Sequence, residues 1–379
     1  MIAPMAELIG MRRGGERWER MAHQISSTVE RLFAWGATWA AFALVAIWGL
    51  YPRLWGYLTS LFLVQTIIVA GGLWFVMTVS AYAYYLTWDR LRRHRFLHNA
   101  IGWVFVLSTM LFINTIIAYD SYQLTPSGGS SNLAQAAINP SYLGEFPHRH
   151  VGNISYGGVL LAAYAAGWFL LFRNSREITQ VDREYRDWLA DVALLIGLAF
   201  LSLQPIVGGF YVSQIRAASF GAFYVMMIGE QSWMFLLLIG LLGALFFLGN
   251  LYLYIGIQRG HPSTTVITWM KTSLMALALL VGLGVIPYNL PLGRMIPWKY
   301  LSLAGFSIIT IANLFLYLQA RPRFIWGRYN DRMYTVIAVI GAIVVAIFVL
   351  MGIIRESARN SWLIWYQMPA DQAQEILRP

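Results

Sequence analysis

Apolar positions in this chain come in blocks. Runs of about 20 residues with few charges recur along it, each long enough at ~1.5 Å rise per residue to cross a ~30 Å hydrocarbon layer as a helix. They predict nine membrane helices, at roughly 33–54, 57–87, 98–120, 150–172, 187–207, 222–257, 264–287, 298–320 and 333–354. The polar breaks between them are mostly short and rich in arginine. The exception is 121–147, SYQLTPSGGSSNLAQAAINPSYLGEFP, whose Pro, Gly, Ser and Asn clusters predict an ordered loop. The expected fold is an all-α polytopic transmembrane helix bundle with no soluble domain. It divides into a basic N-terminal segment 1–32, the bundle 33–354 and a tail 355–379. No small-residue cleavage site follows the first apolar run, which therefore reads as a retained helix and not a signal peptide.

Composition supports the same class: 58% of residues are hydrophobic and only 12% charged, with a mean hydropathy of +0.57. A net charge of +10 would suggest nucleic acid in a soluble protein. Here the basic residues sit in short loops, where they act as topology signals, and no nucleic-acid partner is expected. Eighteen of them fall on one side of the predicted helices and 8 on the other. The positive-inside rule then puts the N-terminus in the cytoplasm, and the 121–147 loop and C-terminal tail outside. The chain has no cysteine, which excludes disulfides, cysteine-ligated iron–sulfur clusters and covalently attached c-type heme within it.

The candidate ligands are few. Of six histidines, His23, His94 and His261 fall in basic cytoplasmic segments and read as solvated loop residues. His98 opens the third helix from the inside, and His148 and His150 open the fourth from the outside. A low-spin b heme needs two axial ligands on different helices at one depth, and His with Met is a known pairing. His150 lies 23 residues before Arg173, and Met234 lies 25 before Arg259. At ~1.5 Å per residue both stand roughly 35 Å above those anchors, level to about one turn. His148 falls within the same tolerance, so depth does not separate the two histidines. A Met on an apolar helix is ordinarily packing, and the chain has 15.

Several stretches resemble subunit I of the cytochrome bd quinol oxidases. YYLTWDRLRRHRFLHNAIGWVFVLSTMLFINTIIAYDSYQLTP (84–126) is similar to the family segment in which a helix ends in WDRL at the cytoplasmic face. NPSYLGEFPHRH (139–150) resembles the approach to the family's low-spin heme histidine. SWMFLLLIGLLGALFF (232–247) resembles the helix carrying its methionine ligand, and GRMIPW (293–298) its GRQPW. These motifs are individually weak but collinear over roughly 35–320. The resemblance implies a heme held by Met234 and by either His150 or His148. The pattern His150-x-x-Asn153 favours His150, which is preferred; counting from Asn139–Pro140 favours His148. Arg294 and Trp298 gain a heme-side role from GRMIPW.

The departures from the family pattern bear on activity. The family's first helix, with a histidine for its high-spin hemes, has no counterpart, since the chain opens on what resembles the second. No Asp or Glu occurs between Glu30 and Asp89 or between Glu230 and Asp331, although the family's oxygen-reducing site uses intramembrane glutamates. The quinol-binding loop is cut to about 208–224. The expectation is a bd-like cytochrome b subunit of a bacterial-type cytoplasmic membrane, with one low-spin b heme near the outer face. It would pass electrons between the quinone pool and partner redox subunits, a c-type cytochrome or an iron–sulfur protein. Glu230, Gln231 and Arg216 are the candidate quinone residues, and a second heme on His98 stays open. The alternatives are a complete quinol oxidase with divergent heme ligands, and a cofactor-free transporter or structural subunit.

Overall fold

The computed structural model describes residues 1–50, 52–63, 69–127, 133–172, 178–229, 232–287, 290, 296–328 and 330–359. Every regular element among them is helical. Among the described residues, eight stretches are long and apolar enough to cross a membrane, from 69–86 to 331–358. The first predicted span, 33–54, lies on helix to Leu50, but several of its side chains fall outside the described residues. The chain forms two compact units divided at Phe146/Pro147.

Unit 1 holds α1 (Ile2–Arg13), α2 (Glu16–Leu50), α3 (Pro52–Leu61), α4 (Gly72–Leu86), α5 (Arg95–Leu124) and α6 (Leu133–Ala137). Gly14, at φ 64°, closes α1 in the left-handed conformation a glycine adopts without penalty, so the chain turns straight back into α2. The WDRL segment forms the turn between α4 and α5. At the other end of α5, Ser121, Thr125 and Asn139 form a sealed polar knot. Asn139 Nδ2 donates to Ser121 Oγ at 2.7 Å, and Thr125 Oγ1 donates to Asn139 Oδ1 at 3.1 Å. Beneath it Leu61, Phe62, Tyr122 and Ala136 pack as an apolar cluster.

Unit 2 begins inside α7 (Tyr142–Phe172) and continues with α8 (Gln180–Leu201), α9 (Gln204–Ala218), α10 (Phe220–Met227) and α11 (Ser232–Ile257). It ends with α12 (Thr264–Gly284), α13 (Ile296–Ala320) and α14 (Asp331–Arg359). Thr179 and Ser263 cap α8 and α12 by accepting the backbone N–H three residues on. Small residues let helices approach closely, as lipid-embedded packing requires. A Cβ at Gly158 of α7 would stand 2.7 Å from the backbone nitrogen of Gly197 on α8. At the same crossing Ser155 Oγ donates to the Gly197 carbonyl at 2.8 Å. α11 packs against α12, α13 and α14. Large apolar side chains such as Met275, Ile308 and Phe348 stay exposed on the outside of the helices, the surface that lipid covers.

Candidate functional site

All three candidate axial ligands, His150, His148 and Met234, belong to unit 2. His148 is the seventh residue of α7, one position after Pro147, and Met234 is the third residue of α11. Proline has no amide hydrogen, so the Leu143 carbonyl loses its usual intrahelical donor at this turn. Met234 is buried, 4% exposed. His148 is half-buried, but its Nδ1 is sealed and has no hydrogen-bond partner among the described residues. Its ring lies against Tyr211 of α9, centroids 5.5 Å apart. Gln204 Nε2 donates to the His148 main-chain carbonyl at 3.1 Å. His150 is also half-buried and has interactions of its own. Counting along the helices, His148 and Met234 precede the far ends of α7 and α11 by nearly equal lengths, roughly 35 Å each at ~1.5 Å per residue.

Of the remaining predicted residues, Arg216 and Trp298 are described. Arg216, near the end of α9, is exposed and stacks its guanidinium over Phe223 at 5.4 Å. Trp298 stands at the start of α13, 38% exposed. Glu230, Gln231 and Arg294 lie outside the described residues. Neighbouring Lys299 is buried and donates to the carbonyls of Gly284 and Ile286 at 3.0 and 2.8 Å. It therefore closes the C-terminal end of α12, a role for which a cation suits the exposed carbonyls.

His98 is held by protein on both ring nitrogens. Nε2 meets the Tyr84 carbonyl at 2.8 Å, and Nδ1 meets Glu7 Oε1 at 2.6 Å. A carbonyl only accepts, so Nε2 carries a hydrogen. A second hydrogen must lie between Nδ1 and the carboxyl, and the pair holds one shared proton. Tyr84 OH and Asn99 Nδ2 donate to the other oxygen at 2.9 and 3.1 Å. With both nitrogens engaged, this histidine fastens α1 to α5 and has no free ring nitrogen for a heme iron in this arrangement.

Sequence reasoning passed over a second buried charged cluster, in unit 2. Asp187 and Asp191, one turn apart on α8, are 2% and 0% exposed. Arg259 Nη1 reaches Asp187 Oδ2 at 3.0 Å, and Arg321 Nε reaches Asp191 Oδ2 at 2.7 Å. Tyr252 and Tyr317 donate to Asp191 Oδ1 at 2.9 and 2.5 Å. Two carboxylates face two guanidiniums, so the cluster is neutral as a whole, which is what burial demands. The available signal was an Asp-x-x-x-Asp pair on one face of an apolar helix, with arginines where α11 and α13 end. A polar ladder lies farther along the same helices: Asn313 Nδ2 donates to Asn250 Oδ1 and Asn250 Nδ2 to Thr310 Oγ1, both at 2.8 Å. No group of three or more metal-ligating His, Asp or Glu side chains occurs among the described residues.

The family model described as cytochrome bd terminal oxidase subunit I matches residues 1–219. Among solved structures, the bd oxidase from Geobacillus thermodenitrificans has a chain of similar fold, with a TM-score of 0.50 at 12% identity. The likeness covers 94% of this chain and 92% of that one. The shared fold therefore extends beyond 35–320. A search of curated protein sequences finds no match.

Proposed function

The chain belongs to the cytochrome bd terminal oxidase subunit I family, and on that footing we propose that it is an integral cytochrome b subunit whose unit 2 holds one low-spin b heme between Met234 and His148. One observation carries the choice of histidine: the His148 ring packs against Tyr211 of α9 and makes no hydrogen bond among the described residues. An imidazole whose ring makes no protein hydrogen bond keeps Nε2 available as a ligand, while its sealed Nδ1 is left for a protein acceptor. The donor set fits the group: an imidazole and a buried thioether stand at the same end of two helices of one unit. A bound b heme supplies one-electron transfer. The chain's own residues seat the imidazole against Tyr211 and keep water from the thioether; Arg216 and Arg149 are the proposed cations for carboxylate groups there, with Arg294, outside the described residues, a further candidate.

The reading gives the protein a place in a bacterial cytoplasmic membrane, moving electrons between quinone and partner redox subunits. Having no cysteine, it leaves c-type heme and iron–sulfur centres to those partners. Arg216, Glu230 and Gln231 remain the proposed quinone contacts. The test is a reduced-minus-oxidised spectrum with heme quantitation on the purified chain. One low-spin b heme per chain supports the proposal. Two or three hemes with a chlorin band point to a complete oxidase, and none at all to a cofactor-free membrane protein.

A further inference from the structure

Two unused polar atoms at the contact between α7 and α9 point to a positioning residue for this site; the inference rests on the heme reading above. Gln204 opens α9. Its Nε2 is spent on the His148 carbonyl, while its Oε1 is sealed and without a partner among the described residues. His148 Nδ1 is sealed and unpartnered in the same way. Gln204 and Gly208, four residues apart, share one face of α9. Gly208 lies beneath the imidazole edge: a Cβ there would stand 3.4 Å from Nδ1 and 3.5 Å from Cε1. On α7, Gly152 leaves room for the carboxamide, since a Cβ at that position would stand 2.4 Å from Gln204 Nε2. A buried acceptor without a donor and a ring nitrogen able to carry a hydrogen thus belong to one small contact, each unsatisfied.

We propose that Gln204 sets the tautomer and electron richness of His148. Were His148 to hold the iron through Nε2, its Nδ1 would keep the hydrogen and Gln204 Oε1 would be the acceptor at hand. The same carboxamide holds the main chain of that residue through Nε2, so one side chain grips both the backbone and the ring. Metal-ligating histidines commonly donate their second ring hydrogen to such a partner, which fixes the ring and raises its basicity. A more electron-rich imidazole favours the ferric state and lowers the midpoint potential. Gln204 acts through His148 and is a positioning residue.

The experiment is a spectroelectrochemical titration of the full-length, heme-loaded chain with Gln204→Met and Gln204→Glu, each checked for heme content. The Met variant keeps the side-chain length, removes the acceptor and is expected to raise the potential. The Glu variant restores an acceptor, so its potential is expected at or below wild type. A Met variant with wild-type potential overturns the proposal, as do Met and Glu variants that shift together or lose heme alike. Should Met alone lose heme, retention by Glu supports it. A different result, an intact low-spin spectrum in His148→Ala, rejects the heme reading itself and the proposal with it.

Discussion

Asp191 on α8 and Tyr317 on α13 meet at 2.5 Å, with neither side chain reached by solvent. Arg321 closes the other side of the carboxylate at 2.7 Å. Removing the charge from one member of a buried pair leaves its partner uncompensated, a loss of about 3–5 kcal/mol. Asp191→Asn is therefore expected to lower stability by that order in detergent, read by thermal or denaturant unfolding. Asp191→Leu combined with Arg321→Met, which removes both charges, is expected to lose less than Asp191→Leu alone. Equal losses would show that the ion pair is not what stabilises this contact.

The two histidines of PHRH give a sharper contrast. His148→Ala and Met234→Leu are each expected to abolish or shift the low-spin heme signal, whereas His150→Ala leaves it in place. Optical spectra of the three variants, normalised to protein, decide between them. A signal lost in His150→Ala and kept in His148→Ala would reverse the assignment.

The shared proton of Glu7 and His98 predicts how firmly α1 is held. The chain has no native cysteine, so an Ala6→Cys reporter, at a site 2% exposed, can be followed alone. Losing the buried hydrogen bonds removes on the order of 1–3 kcal/mol. His98→Leu is expected to raise the rate of maleimide labelling at position 6 by about tenfold or more, since ~1.4 kcal/mol corresponds to a factor of ten. Unchanged labelling would mean that apolar packing alone secures α1.

The crossing of α7 and α8 tolerates no side chain at Gly158. A Cβ there would also stand 2.8 Å from the Ala193 carbonyl oxygen, and backbone atoms cannot swing aside as a flexible side chain would. Gly158→Val is expected to destabilise the protein by about 1–3 kcal/mol or more. Gly167→Val on the same helix, where a Cβ would meet nothing within 4 Å, is the control and is expected to change thermal stability little.

Much of this protein was legible before any tertiary structure. Helix length and polarity gave the polytopic class because the bilayer imposes one condition, satisfied backbone over ~30 Å, that any spanning segment must meet locally. The collinear motifs pointed to the family that the match over 1–219 shows. What local pattern could not reveal is which polar atoms end up paired. Near-identical spacing left His148 and His150 level, and the contacts that bear on the choice, Tyr211 and Gln204 of α9 against His148, come from another element. His98 looked like a spare ligand until Glu7, 91 residues away, closed on its Nδ1. Asp187 and Asp191 drew no reading from the sequence, because Arg259 and Arg321 reach them from just past the ends of α11 and α13. A hydrophobic run is a property of consecutive residues, so the sequence determines it; the satisfaction of a buried polar group is a property of distant residues brought together, and only the tertiary structure decides it.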